Sequence, residues 1–532
     1  MLRRVRIIRR IRSILALDSK EEALFRYFKC KQKQTGSSDG TILVQCVENP
    51  FYFGLFGQIA ISLKERENLL FEQYILRSLN PGETKSFLQW ITFRLVMNPL
   101  FNHKWSTLYS SFCEKIAYSS TSFHPVCDLI DLSRAWICWR SLSDRKSLID
   151  LVIDGIPVGD LINDSYLRFK PAPTLDRKDP YLLILLWQTY RDIRRAQSYF
   201  SKVRPKIYLT SYSTYIQHGI PVRVALKHGV RVYSFGIYQE FAKELRIDDW
   251  FHARNTDHYA EEFMKMDFHE QRLAAADEGL RTRLSGGVDN ATSYMRQSAY
   301  AESGVTVPDV KGAAVVFLHD FYDSPHVYPD MVFPDFWDWA CFTIETLTNA
   351  GIQFFVKPHP NQIDLNNEVL NKLERLYPDM RMISPGVTNK QLVDAGMACG
   401  ITVYGTVAHE MAYMGIPTVS CARHPHVSFD FCITARNKEE YAKVLQHCTE
   451  IKMDKSSMKK QSLMFYYMHN LCNGDENQSL RDAVMKFRNA CAAPGEVDND
   501  FVKNLDRIAG LPGYKYYLFE WTSSLRYPIR KN

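Results

Sequence analysis

The apolar positions of the chain fall into short continuous runs separated by longer segments with helical periodicity. From residue 312 onward, strands are predicted at 312–320, 353–360, 380–384, 397–405 and 416–422, with helices between them. These runs are apolar throughout rather than alternating, which is typical of a parallel sheet covered by helices on both faces. The pattern in the second half of the chain therefore predicts an α/β domain, which we place at 312–480.

The first half shows the same alternation less regularly. The pattern predicts strands at 41–48, 147–156 and 204–212, a glycine turn at 50–57, and helices at 58–76 and 181–203. We expect a first α/β domain over 41–285, a polar linker over 286–311 and a helical tail over 481–532. Two such domains in tandem would form a cleft.

The composition is that of an ordinary folded protein. Of 532 residues, 46% are hydrophobic and 23% are charged, which excludes disordered and collagen-like classes. The 66 Lys and Arg exceed the 59 Asp and Glu by only seven, so we predict no nucleic-acid partner. The 12 cysteines form no CxxC pair, and we expect neither disulfides nor structural zinc. Without a secretory signal or a membrane-spanning apolar run, the expected location is the reduced cytoplasm.

The first 40 residues form a separate basic segment. Arginines interleave there with isoleucines that share one helical face, as in RRVRIIRRIRSIL. Residues 1–17 could lie on an anionic membrane surface as a peripheral anchor, or they could dock the isoleucine face on the core. The sequence leaves both interpretations open.

Candidate chemistry follows the predicted strands of the second domain, where helix starts and strand ends bind ligands in doubly wound sheets. Lys357 and His359 close the strand ending in KPHP, and a cation beside an imidazole suits a phosphate. Gly405, Thr406 and Glu410 follow another strand. There the threonine could cap a helix, and the carboxylate one turn later could bind a ribose.

Three further segments hold polar and titratable side chains at comparable positions. The first predicted strand of the second domain runs into His319, Ser324 and His326. The first domain carries Asp160, Asp164, Arg168, His218 and Arg223, whose side chains offer bases, nucleophiles and cations. An aspartate in a glycine-rich loop is also common turn chemistry, so each carboxylate has a structural alternative.

Four segments together carry a resemblance: KPHPNQ, GTVAHEMAYMGIPTVS, FLHDFYDSPH and QHGIPVRVAL. They resemble the bacterial capsule and surface-polysaccharide biosynthesis family, which includes glycosyltransferases of GT-B fold with a His-Pro motif. Within it the chain is most similar to β-Kdo transferases, which use CMP-activated Kdo. The resemblance covers roughly residues 150–435. It implies two Rossmann-like domains with parallel sheets facing an interdomain cleft, the first on the acceptor side and the second binding the nucleotide sugar.

The resemblance also implies roles for the candidate residues. His359 and Lys357 would contact donor phosphate, and the 405–410 segment would hold the nucleotide, with His319, Ser324 and His326 on the donor side. Asp160 is the leading catalytic candidate, followed by Asp164 and His218, and either Arg168 or Arg223 would pair with a sugar carboxylate. We expect no metal and no cofactor, because GT-B enzymes need no bound metal and no DxD follows a strand.

The expected function is transfer of a sugar, preferably Kdo or a similar acidic sugar, from a CMP-linked donor to a glycan or glycolipid acceptor. The alternatives are a donor with a nucleoside diphosphate or CMP-polyol, and a non-catalytic scaffold of a polysaccharide assembly complex. Stereochemistry, linkage and oligomeric state stay open.

Overall fold

A computed structural model describes most of the chain. The described residues are 15–32, 39–76, 98–122, 124–170, 172–235, 241–287, 300, 304–359, 364–472, 475–497 and 500–526. The predicted basic segment over 1–17 therefore falls almost entirely outside them. The chain divides into two compact units: a first unit of Met1–Ser165, Arg177–His252 and Gly474–Asn532, and a second unit of Tyr166–Asp176 and Ala253–Asn473.

The described strands form two six-stranded sheets and one short hairpin. The strands are β1 (Gly40–Cys46), β2 (Leu69–Ile75), β3 (Lys115–Ser119), β4 (Val152–Ile153), β5 (Ile156–Pro157), β6 (Ile207–Thr210), β7 (Arg231–Phe235), β8 (Ala242–Leu245), β9 (Ala314–Phe317), β10 (Phe354–Lys357), β11 (Arg381–Met382), β12 (Cys399–Ile401), β13 (Thr418–Ser420) and β14 (Cys432–Thr434).

Helices connect and cover these strands. The α-helices are α1 (Ser19–Lys31), α2 (Pro50–Lys64), α3 (Asn98–Tyr109), α4 (Pro125–Ser141), α5 (Arg145–Ile149), α6 (Gly159–Phe169), α7 (Pro180–Val203), α8 (Tyr215–Lys227), α9 (Tyr259–Met264), α10 (His269–Leu284), α11 (Phe336–Asn349), α12 (Asn366–Leu376), α13 (Asn389–Asp394), α14 (Val407–Tyr413), α15 (Lys438–Gln446), α16 (Lys455–Tyr466), α17 (Asp475–Ala492), α18 (Lys503–Gly510) and α19 (Pro512–Arg526).

Both sheets are doubly wound. The first unit has the strand order β3-β2-β1-β6-β7-β8, all parallel except the last pair, and the second has β11-β10-β9-β12-β13-β14, all parallel. In each sheet the chain starts at a central strand, builds outward on one side, and then crosses to the other. This confirms the predicted α/β class with two Rossmann-like parallel-sheet domains.

The unit boundaries differ from the domain boundaries predicted at 285 and 480. Residues from Ala253 belong to the second unit, because α9 and α10 bury Phe263 and Leu280 in clusters with residues of α16. The predicted C-terminal tail belongs to the first unit, because Phe487 and Trp521 lie in the core formed by β1 and α2. These apolar contacts join residues far apart in sequence.

Two local predictions in the first domain were wrong. The predicted turn at 50–57 is the start of α2, and the helix predicted from residue 58 ends at Lys64 before β2. Gly54 lies inside α2, where a Cβ would be 2.5 Å from the Phe487 ring, so the glycine serves close packing. The predicted strand at 147–156 contains part of α5 and the hairpin β4–β5. Its turn uses Asp154 and Gly155 at φ angles of 50° and 74°.

The described helices include none with the length and hydropathy needed to cross a bilayer. All 12 cysteines lie in the described part of the chain and are free thiols.

Candidate functional site

A cavity of about 230 Å³ opens at the carboxyl ends of the strands in the second unit. Its walls come from the segments that follow β9, β10 and β12, and β9 and β12 are the adjacent strands at which the chain changes direction across the sheet. Ligands of doubly wound folds bind at this position. The lining residues are Tyr300, Phe317, Leu318, His319, Tyr328, Lys357, Pro358, His359, Asn389, Thr402, Tyr404, Gly405, Thr406, Val407, Glu410 and Pro425.

Lys357 is the last residue of β10 and is 4% exposed. Its Nζ donates a hydrogen bond to Asn389 Oδ1 over 2.8 Å. Burial lowers the pKa of Lys357 to about 8, although the nearby Glu410 carboxylate opposes the shift. The cavity wall thus holds an ammonium group that has lost most of its water and is charged at neutral pH.

Glu410 lies on α14 and is the centre of a buried hydrogen-bond network. Tyr300 Oη and Arg283 Nη1 donate to Glu410 Oε1 over 2.6 and 3.4 Å, and Asn389 Nδ2 donates to Glu410 Oε2 over 3.1 Å. Asn389 therefore connects Glu410 to Lys357. With both oxygens engaged, the carboxylate is held in one orientation at the cavity wall.

The two histidines of the cavity are neutral at pH 7. Burial lowers the pKa of His319 to about 3, and His319 Nε2 is hydrogen-bonded to Thr402 Oγ1 over 3.2 Å. Burial also lowers the pKa of His359, opposed by the Asp320 carboxylate and assisted by Lys357. These rings act as hydrogen-bonding groups, so the positive charge at this site comes from Lys357.

Aromatic rings form another wall of the cavity. Tyr404 lies 4.8 Å from the His319 ring and 5.1 Å from Tyr328 between ring centroids, and its hydroxyl donates to Ser324 O over 3.2 Å. Phe336 stacks behind His319 at 5.0 Å with an interplanar angle of 9°. Such a surface suits a planar ring of a ligand.

The glycine and threonine predicted at the start of α14 do line the cavity. The Gly405 N–H donates to Thr402 Oγ1 over 3.2 Å, and a Cβ on Gly405 would lie only 2.7 Å from that oxygen. A larger residue would therefore disturb the bond between Thr402 and His319. Thr406 precedes α14, but its side chain makes no capping hydrogen bond, contrary to the predicted capping role.

Ser324 and His326 occur after β9 as predicted but are not among the residues that line the cavity. Ser324 is 2% exposed, and its carbonyl oxygen accepts from Tyr404. His326 lies in a short 3₁₀ turn, Pro325–Val327. Ser324 can thus act on the cavity through Tyr404.

In the first unit, Asp160 and Arg223 form a two-point ion pair. Arg223 Nη1 donates to Asp160 Oδ1 over 2.7 Å, Nη2 donates to Oδ2, and Nη1 also contacts Pro157 O. Asp160 lies in the first turn of α6 rather than in the predicted loop. Arg223 is therefore engaged with a carboxylate of this chain, whereas the sequence offered it, as an alternative to Arg168, for a sugar carboxylate.

The other first-domain candidates lie on α6 and α8. Asp164 is 2% exposed on α6, where Asn163 Nδ2 contacts its carboxylate over 3.4 Å. His218 lies on α8, and burial lowers its pKa to about 4. Arg168 is exposed, belongs to the second unit and donates to Tyr322 O over 3.3 Å.

Three buried side chains of the second unit could offer ligands to a metal ion. His424, His426 and Cys432 place their ligand atoms within 4.8 Å of one another. The two imidazoles are stacked, with centroids 3.6 Å apart and planes 22° apart. A metal bound to imidazole lies in the ring plane, so one ring would have to rotate before both could bind the same ion.

The sequence missed several residues of the cavity. Asn389 follows β11 and a threonine cap, so its position after a strand was a usable signal. Arg283 and Tyr300 reach Glu410 from 127 and 110 residues away, and no local pattern predicts those contacts. Tyr328 and Tyr404 occur in segments that were identified for their polar residues.

No family model and no curated protein matches the chain. Among solved structures, it is similar to the β-Kdo 2,4 transferase KpsC of Thermosulfurimonas dismutans, at 10% identity and a TM-score of 0.30 over 49% of this chain and 79% of that one. A second similar structure is the UDP-GlcNAc 2-epimerase of Methanocaldococcus jannaschii in complex with UDP-GlcNAc and UDP, at 9% identity and a TM-score of 0.24 over 79% of this chain and 97% of that one. A third is UGT71G1 of Medicago truncatula complexed with UDP-glucose, at 10% identity and a TM-score of 0.24 over 85% of this chain and 98% of that one. At these TM-scores the matches assign no activity to this chain.

Proposed function

We propose that this protein is a glycosyltransferase that binds a nucleotide-activated sugar in the second unit and transfers the sugar to a glycan or glycolipid acceptor in surface-polysaccharide biosynthesis. The observation that carries the proposal is the cavity at the strand crossover of the second sheet, with the buried Lys357 in its wall. The family resemblance of the surrounding segments supports it.

The donor phosphate would bind between Lys357 and His359. A buried ammonium group strengthens its attraction to a phosphate, because little water screens the charges. The neutral His359 ring would donate one hydrogen bond to a phosphate oxygen. As the bond to the sugar breaks, charge develops on that phosphate, and the same groups would stabilise it without a metal.

Charge favours a donor with one phosphate. Of the described residues that line the cavity, Lys357 is the only lysine or arginine, while Glu410 brings a carboxylate that is already engaged. A CMP-linked sugar carries a single phosphate charge, whereas a nucleoside diphosphate sugar carries two. We therefore favour a CMP-linked sugar over a diphosphate donor, and the family resemblance favours an acidic sugar such as Kdo.

The remaining walls would hold the nucleoside. Tyr328 and Tyr404 offer aromatic surfaces to the base, and Glu410 would accept a hydrogen bond from a ribose hydroxyl. The Tyr300 and Arg283 contacts would keep that carboxylate oriented. His319 would help to position the nucleoside through its hydrogen bond with Thr402. Ser324 would do so through its carbonyl oxygen, which accepts a hydrogen bond from Tyr404.

The transfer step would use a carboxylate of the first unit, with Asp160 the leading candidate. As a base it would take the proton of the acceptor hydroxyl while that oxygen attacks the anomeric carbon. As a nucleophile it would attack that carbon itself, and the acceptor oxygen would then displace the carboxylate from the carbon and give up its proton to it. Either route breaks the bond between this carbon and the phosphate oxygen, and CMP leaves with the electron pair. Arg223 would orient Asp160, and the exposed Arg168 is the freer candidate for the sugar carboxylate.

Calorimetric titration with CMP, UDP and GDP tests the proposal. We expect CMP to bind most tightly, and His359→Ala to weaken it roughly ten- to a hundredfold through loss of a bond to phosphate. His447→Ala, on an exposed side chain of the same unit, is the control. Tighter binding of UDP or GDP would show that the donor is a nucleoside diphosphate sugar rather than a CMP-linked one. If no nucleotide binds, the protein would instead be a non-catalytic scaffold.

A further inference from the structure

Helix α4 of the first unit turns its apolar face to solvent. Its large apolar side chains at the surface share one side of the helix at a spacing of three and four residues. Their exposed fractions are 71% for Val126, 66% for Leu129, 55% for Ile130, 52% for Trp136 and 63% for Ile137. Helices of globular proteins normally bury such a face.

The opposite side of α4 is buried although it carries acids. Asp128 and Asp131 are each 1% exposed, and Arg194 of α7 contacts both carboxylates at 2.8 Å. Arg191 of α7 contacts Asp128 at 2.9 Å. Trp187 Nε1 adds a hydrogen bond to Asp128 O over 2.8 Å.

These ion pairs fix the orientation of α4. Rotating the helix to bury its apolar face would pull both acids away from their arginines and leave buried charges without partners, which is strongly unfavourable. The exposed apolar face is therefore a consequence of the packing between α4 and α7, and it is stable without a cover.

The charges around this face select its partner. Both acids of α4 are buried, whereas Arg140 is exposed and the Arg134 side chain is 41% exposed beside Asp154. A second copy of the same face would add another exposed Arg140, and the nearby Asp154 carboxylate is already paired with Arg134. An anionic lipid surface supplies negative headgroups for the arginines and an apolar layer for the side chains.

We propose that α4 binds an anionic membrane surface, with Leu129, Ile130 and Ile137 inserted below the headgroups and Trp136 at the interface. This site is independent of the basic segment at 1–17 and of the proposed transferase activity. Its position in the first unit would keep the protein beside a lipid-linked or membrane-associated acceptor.

Vesicle co-sedimentation of the full chain tests the proposal. The double variant Leu129→Gln/Ile137→Gln should bind phosphatidylglycerol vesicles at least about tenfold more weakly, because two apolar side chains lose their burial in lipid. The control Tyr516→Gln/Phe519→Gln removes two side chains of similar exposure on α19, 60% and 59%, and should bind normally. Neutral phosphatidylcholine vesicles should bind the unchanged chain less than anionic ones.

Hydrogen exchange on the unchanged chain gives a second readout that needs no variant. Amides of 125–141 should be protected more strongly when phosphatidylglycerol vesicles are present. Failure to bind vesicles, equal binding by the double variant, or binding that depends only on residues 1–17 would overturn the proposal. So would a dimer that the double variant dissociates in the absence of lipid, because the face would then be a protein interface.

Discussion

Arg223 binds both carboxylate oxygens of Asp160, with Nη1 2.7 Å from Oδ1 and Nη2 bonded to Oδ2. The guanidinium is almost fully buried, whereas the Asp160 side chain is 21% exposed. The partly exposed carboxylate is thus held in a fixed orientation, as a group that acts on a substrate requires.

Replacing Asp160 with asparagine keeps the shape of the side chain and removes its charge. We expect donor binding to survive, because the nucleotide site is assigned to the second unit, while turnover falls by about a hundredfold or more. Single-turnover assays with the donor identified by titration would measure the loss, and a thermal melt would show that the variant folds.

Asp164→Asn is the matched control on the same helix. Near-normal turnover in Asp160→Asn together with loss in Asp164→Asn or His218→Ala would transfer the catalytic role to that residue. Full activity in all three variants would remove the catalytic site from this part of the first unit.

Lys357 should make nucleotide affinity depend on pH. Its pKa is lowered to about 8 by burial, so the ammonium form predominates at pH 7 and is largely lost by pH 9. A phosphate prefers the protonated form, and affinity for CMP should therefore fall by up to about tenfold between about pH 7 and 9. Calorimetry across this range measures the slope. Lys357→Met should bind weakly with no such slope, and a persisting slope would assign the titration to another group.

Asn389 should act as a positioning residue between Lys357 and Glu410. Asn389→Ala removes a hydrogen bond to each partner and should weaken CMP binding by about five- to tenfold. It should also change the pH at which affinity falls, which a purely structural defect would not do. Asn371→Ala, an exposed position on α12, is the control. Unchanged affinity and pH dependence in Asn389→Ala would show that Asn389 does not connect Lys357 with Glu410 in nucleotide binding.

The strands of the second sheet could be predicted well because each is marked by a run of apolar residues adjacent in sequence. Five apolar runs define β9 to β13, and residues at the ends of these strands, such as Lys357, do line one cavity. The contacts of Arg283 and the inverted orientation of α4 could not be predicted, because their ion-pair partners lie more than 50 residues away. Gly54 was misread for the same reason, since the ring that requires a glycine there is Phe487.

Metal removal should leave nucleotide binding and transfer unchanged. Charge neutralisation of the donor phosphate is assigned to Lys357 and His359, and the stacked rings of His424 and His426 do not present one shared position for an ion. We expect equal CMP affinity and turnover after dialysis against EDTA and after addition of Zn²⁺. Loss of activity on dialysis with recovery on Zn²⁺ would contradict the metal-free mechanism.

Asp128 should contribute strongly to the stability of the first unit. Asp128→Asn removes the carboxylate that Arg191, Arg194 and Arg195 share, and the first and last of these arginines are almost fully buried. Taking this shared carboxylate away from buried arginine charges should lower the free energy of unfolding by about 3 to 5 kcal/mol. Urea unfolding at neutral pH measures the loss, and Asp248→Asn, whose carboxylate is 71% exposed, should cost far less.

The same interaction should weaken in acid. Burial alone would raise the pKa of Asp128, but the His124 amide, Arg191 and Arg195 hold that pKa below its usual value. The stabilisation is therefore complete above the unfolded pKa of about 3.9 and is lost as the pH falls through the lower folded pKa. The difference in unfolding free energy between the unchanged chain and Asp128→Asn should shrink over that range, because protonation neutralises Asp128 as the substitution does. A difference that is independent of pH would show that the substitution acts through packing rather than through charge.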